Sequence, residues 1–191
     1  MTQPDRLARA IQMIDAANAA DPGLESGEPA ALLYGQRMTA EMARLVPGAG
    51  EVLRIAARGQ HIERWLLPRT DFPAGKEGYL AWRREQARRH GARIAGIMAD
   101  AGYDTGDQVL AGVLLRKEGL KRDADVQALE DVICFVFLRW YLSSFAQGRD
   151  QSAVLDIVTK TARKMSASGR ARALVEFDLP EAYALALRAD P

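Results

Sequence analysis

Only two histidines occur in the 191 residues, His61 and His90, and each sits in an arginine-rich helical pattern. His61 belongs to RIAARGQHIERW (54–65) and His90 to RRHGARIAGIMADAGYD (88–104). A third segment, QALEDVICFVFL (127–138), carries the adjacent carboxylates Glu130 and Asp131. Imidazoles and carboxylates converging from separate helices can hold a divalent cation and leave one position open for water. The groups of this kind are His61, His90, Glu130 and Asp131, and such a set suits Mn²⁺, Fe²⁺ or Zn²⁺. The expected catalytic groups are His61, Glu130 and Asp131, with the cation or Glu130 as general base activating water. Arg37, Arg64, Arg69 and Arg83 flank the same segments, with Arg84 beside the last of them. Guanidinium forks grip phosphate or carboxylate in two places, so these arginines are the expected substrate holders. Taken singly, each arginine reads more simply as a surface ion pair.

Two buried carboxylates need a reason. Helix 126–142 is apolar on nearly every side, which marks a central, buried helix. Glu130 and Asp131 lie a turn or more inside it, past the capping positions, where Asp123 or Asp125 fits better. Buried carboxylates are costly without partners, and cations are the expected kind. Trp65, Tyr79 and Trp82 read first as packing anchors and second as a stacking platform for a ligand ring.

The elements that must position these groups are helical throughout. Apolar residues recur at helical spacing over 4–20, 29–46, 49–66, 77–101, 105–117, 123–147, 150–167 and 179–188, with no period-2 strand. Pro29 suits a first helical turn, Pro47 stops the second helix, and Gly102 suits a left-handed cap for the fourth. On the third helix, Arg64 is expected on the same side as His61, three residues on. The segment 68–78, with two prolines and two glycines, is expected to be a loop roofing the site. KMSAS (164–168) reads as a helix end, with Lys164 at the negative pole and Gly169 as its cap.

Composition bounds the rest. The length fits one domain, 1–191, with a real core. The net charge is +1, so no overall basic field points to nucleic acid or an anionic membrane. A nucleic-acid phosphate stays open only through a local arginine cluster. The single cysteine, Cys134, reads as a reduced core residue, and the longest apolar run is too short to span a bilayer. A cytoplasmic protein is expected, with a small phosphorylated or otherwise anionic ligand as its partner.

The motifs IDAANAADP, LLYGQRM, AARGQHIERW, PRTDFP, GYLAWR, LEDVICFVFL and KTARKMSASG together resemble the family catalogued as domain of unknown function 4202. That resemblance covers nearly the whole chain and implies an all-α domain, with no activity attached. EVLRIAARGQHIER, HGARIAGIMADAGYD and QALEDVICFVFL also resemble, more remotely, the helices of histidine–aspartate (HD) phosphohydrolases. This second resemblance implies a single all-α, HD-like domain of several helices around 126–142, with His61, His90 and Asp131 in ligand places. Ile62 stands where that family has its aspartate, and Tyr34 near the place of its first histidine. Two readings follow: a metal-dependent phosphoester or nucleotide hydrolase of degenerate HD type, or a non-catalytic HD-like module that binds an anionic metabolite or a nucleic-acid phosphate.

Overall fold

The computed structural model describes residues 3–189, with side chains from residue 6 onward. Ten α-helices appear among the described residues, and the all-α expectation holds. The chain divides into two compact units, one ending at Glu118 and the other starting at Gly119. No helix among the described residues is long and apolar enough to cross a membrane.

The first unit contains α1 (Gln3–Asn18), α2 (Ala30–Leu45), α3 (Glu51–Arg58), α4 (Gly75–Ala101) and α5 (Thr105–Arg116). Between α1 and α2 lies the one departure from an all-helical pattern, an antiparallel pair of two-residue strands, β1 (Leu24–Glu25) and β2 (Glu28–Pro29). Ser26 and Gly27 link them with φ of 53° and 84°, the two positive values a tight hairpin turn of this hand requires. No run of alternating residues signals so short a ribbon.

Arg58 ties three helices of this unit together. Its Nε and Nη2 donate to the Asp15 carboxylate of α1 at 2.6 and 2.7 Å, and Nη1 donates to Thr39 Oγ1 of α2 at 3.2 Å. The helices can approach because of glycines. A Cβ on Gly35 would meet the Arg58 carbonyl at 2.8 Å, and one on Gly59 would meet Ile94 Cδ1 at 2.3 Å. The chain leaving α3 is thereby pressed between α2 and α4, each of which delivers a ring to it.

The third helix is shorter than its sequence pattern. It stops at Arg58 rather than continuing to 66, and turns lead into a 3-10 turn at Arg64–Leu66. Glu63 takes a left-handed φ of 50°, which no continuing α-helix allows. Arg64 therefore does not share a helical face with His61, contrary to expectation. The 68–78 loop is also shorter than expected: it holds a 3-10 turn at Arg69–Asp71, and α4 begins at Gly75. Gly102, at φ 95°, caps α4 as the sequence suggests.

The second unit contains α6 (Ala124–Val136), α7 (Leu142–Ala146), α8 (Gln151–Lys164), α9 (Ala167–Glu176) and α10 (Glu181–Arg188). Asp123 caps α6, accepting from the backbone N–H groups of Asp125 and Val126. The buried faces of Val126, Leu129, Val132, Phe135 and Val136 form this unit's core with Val154, Val158 and Ala162. Cys134 is buried and forms no disulfide. Two boundaries differ from the sequence pattern. The continuous helix expected over 123–147 is interrupted by a π-helical segment, Phe137–Tyr141. Gly169 is not a cap for α8: it lies inside α9 and donates its N–H to Ser166 Oγ, the N-cap of that helix.

Candidate functional site

Two imidazoles meet in the first unit. His61, in the turn that follows α3, stacks on the ring of Tyr34 of α2, with centroids 3.9 Å apart and planes 16° from parallel. His90 of α4 stands with its centroid 6.3 Å from that of His61, tilted by 51°. His90 is 4% exposed and hydrogen-bonds to the Gln60 backbone. A ring nitrogen bonds a carbonyl only by donating, and Nε2 has no partner, so the proton sits on Nδ1 and Nε2 carries a lone pair. Two more buried atoms of this unit, Gln60 Oε1 and Asn18 Nδ2, are equally without partners. Asn18 uses its other end: Oδ1 accepts from the Glu63 N–H at 3.1 Å, holding the turn in place.

Cations surround this pair. Arg64 lies partly buried, its guanidinium carbon 4.6 Å from the Trp82 ring centroid. Trp82 is itself fixed, donating from Nε1 to the Leu67 carbonyl at 2.9 Å. Gln86 Nε2 clamps the same turn, donating to the carbonyls of Arg64 and Leu67 at 2.9 and 3.0 Å. Exposed Arg83 reaches over Tyr79, 5.8 Å from guanidinium carbon to ring centroid. Neither Arg64 nor Arg83 makes an ion pair among the described residues.

The electrostatic consequence is consistent across the cluster. Burial, followed by the charges of Arg64, Lys117 and Arg83 and the neighbouring His90, holds His61 well below the ordinary imidazole range. Burial and then Arg64 push His90 down to about 4, against the opposing pull of its Gln60 bond. Arg64 is lowered too, chiefly by burial. Both imidazoles are neutral at pH 7, beside Arg64 and Arg83, which no carboxylate balances among the described residues.

Other arginines expected here are committed elsewhere. Arg37 pairs with Glu25 of the β-ribbon. Arg69 clasps the loop before α4, donating to the carbonyls of Phe72, Pro73 and Gly75 at 2.9, 2.8 and 3.3 Å. Its fork is spent on backbone, so its place is architectural and not that of an anion holder. Arg84 is exposed on α4.

Glu130 and Asp131 belong to the second unit. Asp131 accepts from the Ser166 N–H at 2.8 Å, from Ser166 Oγ, and from Gln127 Nε2 at 3.0 Å. It thus braces the residue that caps α9. Glu130 is 2% exposed, with Lys164 Nζ 3.9 Å from Oε1. Among the described residues no three His, Cys, Asp or Glu side chains are grouped as a metal would require. Gln60 and Lys117 escaped the sequence reading. Gln60 stands directly beside His61 in RIAARGQHIERW, and no signal in the sequence marks Lys117.

The family model described as domain of unknown function (DUF4202) matches residues 8–186, and the chain belongs to that family. No curated protein and no solved structure gives a match. Nothing in these comparisons ties the chain to the HD phosphohydrolases.

Proposed function

We propose that this DUF4202 protein binds a small phosphorylated ligand, its phosphate held by Arg64 and Arg83 beside the neutral His61. One observation carries the reading: Arg64 is partly buried and has no anionic partner among the described residues. Withdrawing part of a guanidinium from water without a counter-charge costs free energy, which the face of the Trp82 ring offsets only in part. A bound anion removes that cost. Phosphate is the fitting anion because its several oxygens match two forks and a neighbouring imidazole. The near-zero net charge favours a small ligand over nucleic acid. Calorimetric titration with inorganic phosphate tests it. Arg64→Ala should weaken binding by about tenfold to a hundredfold, the worth of one charge-assisted hydrogen bond. No heat of binding from the wild-type protein at millimolar phosphate would defeat the proposal.

A second reading, phosphoester hydrolysis of HD type, is favoured by the closeness of the two imidazoles. Both are neutral, as metal ligands must be. His61 and His90 would share Mn²⁺, Fe²⁺ or Zn²⁺, and the cation would make water a nucleophile. Under this reading Mn²⁺ raises hydrolysis of a phosphomonoester and His61→Ala abolishes the gain. Phosphate binding without turnover under any of the three ions would remove this reading and leave the first.

A further inference from the structure

Resting on the phosphate-binding reading, we infer that the ligand is a phosphorylated polyol or sugar, one whose hydroxyl donates a hydrogen bond to His90 Nε2. The bare phosphate is half of what the site asks for. His90 is 4% exposed, and its bond to the Gln60 carbonyl fixes the proton on Nδ1, leaving Nε2 as a pure acceptor. Gln60 Oε1 is a second buried acceptor without a partner, and Asn18 Nδ2 a buried donor without one. Buried polar atoms are almost always satisfied, so the unpartnered Nε2 of His90, on an imidazole within the field of Arg64, calls for an explanation.

The chemistry of these atoms narrows the partner. The phosphate of a dianionic ester has only acceptor oxygens and would face the Nε2 lone pair with like charge. A divalent cation would suit the lone pair but meets the field of Arg64 on the same imidazole. An alcohol O–H suits both: it is neutral and donates to Nε2. The His61 ring, 6.3 Å from His90 and subject to the charges of both arginines, links the two halves of the site. Phosphate lies toward Arg64 and Arg83, and hydroxyl toward His90.

Calorimetry on the full chain at pH 7.5 tests this with four probes: glycerol 3-phosphate, ribose 5-phosphate, propyl phosphate and inorganic phosphate. The hydroxylated esters should bind about tenfold tighter than propyl phosphate, since a buried acceptor left unmatched costs at least that much. His90→Phe should keep propyl phosphate binding and erase the preference. The comparison between ligands uses the wild-type protein, so it stands even if that variant does not fold. Equal affinity for propyl phosphate and the hydroxylated esters would overturn the inference while leaving phosphate binding intact, as a water held at Nε2 would produce. A preference that exists only with added Mn²⁺ would overturn it in favour of a metal at Nε2. Failure of all four to bind would overturn the inference and the reading beneath it together.

Discussion

Two polar clusters of this chain differ in how their charged groups are met, although each contains a buried polar atom without a partner, Gln127 Oε1 in the second unit among them. In the second unit, both oxygens of Asp131 are taken: Ser166 gives its N–H and hydroxyl, and Gln127 its amide. In the first unit, Arg64 and Arg83 have no carboxylate, and His90 Nε2, Gln60 Oε1 and Asn18 Nδ2 have no partner. Asp131 holds a helix start in place, and its satisfaction is complete within the fold. The cluster around His61 and Arg64 is held in place by others (Trp82, Gln86 and the Gln60 backbone), while its guanidinium groups face aromatic rings and no carboxylate among the described residues. A carboxylate inside an apolar helix looked functional in the sequence. In the structure that carboxylate is only half-buried, and both its oxygens are used inside the fold.

The contrast can be broken from either side. The largest effect is expected from acid. His90 is neutral in the fold down to about 4, whereas an unfolded imidazole protonates near 6.5. Between those values the unfolded state binds more protons, so stability falls as pH falls and is fully present above about 6.5. The loss through His90 is on the order of 3 kcal/mol by pH 4, and His61, lowered for the same cause, adds to it. Urea unfolding at pH 7 and pH 5 should show the fall, and His90→Gln should flatten it. Stability level across that interval would mean the cluster is wetter than described.

Asp131→Ala should cost about 2–3 kcal/mol, because it leaves the Ser166 N–H, the Ser166 hydroxyl and the Gln127 amide without their acceptor. Asp131→Asn, which keeps one carbonyl, should recover part of it. A loss under about 0.5 kcal/mol in the urea midpoint would place Asp131 outside the architecture. The smallest effect is expected from Arg64→Met, with the opposite sign. Replacing a partly buried, unpaired guanidinium by a side chain of similar reach should leave stability unchanged or raise it by up to about 1 kcal/mol, even as phosphate affinity falls. A clear destabilisation would show that Arg64 has a structural partner after all.

Much of this architecture can be read from residue spacing, because helical periodicity and capping are local. Gly102 and Asp123 announce their caps within a turn of the residues they serve. What escapes is set by distant partners. The third helix ends at Arg58 because Gly59 must lie against Ile94, 35 positions along the chain. The sequence pattern ends a helix at 167 and gives none over 168–178, whereas α9 starts there because Ser166, held by Asp131 35 residues earlier, caps it. The same division holds at the site. The types of His61, His90, Arg64 and Arg83 were enough to single them out. That Arg37 and Arg69 are spent on Glu25 and on loop carbonyls depends on the ribbon and turn that bring those acceptors close.

Since the chain has only two histidines, their imidazole proton resonances report the candidate site with little ambiguity. The decisive measurement is a pH titration of those resonances by NMR, without and with inorganic phosphate. Without phosphate, both imidazoles should stay neutral at pH 7 and titrate well below 6.5. With it, the bound anion offsets the arginine field, and the His61 transition should move upward while its resonance shifts at constant pH. An ordinary imidazole transition for His61 in the absence of phosphate, or resonances indifferent to phosphate at millimolar concentration, would contradict the account.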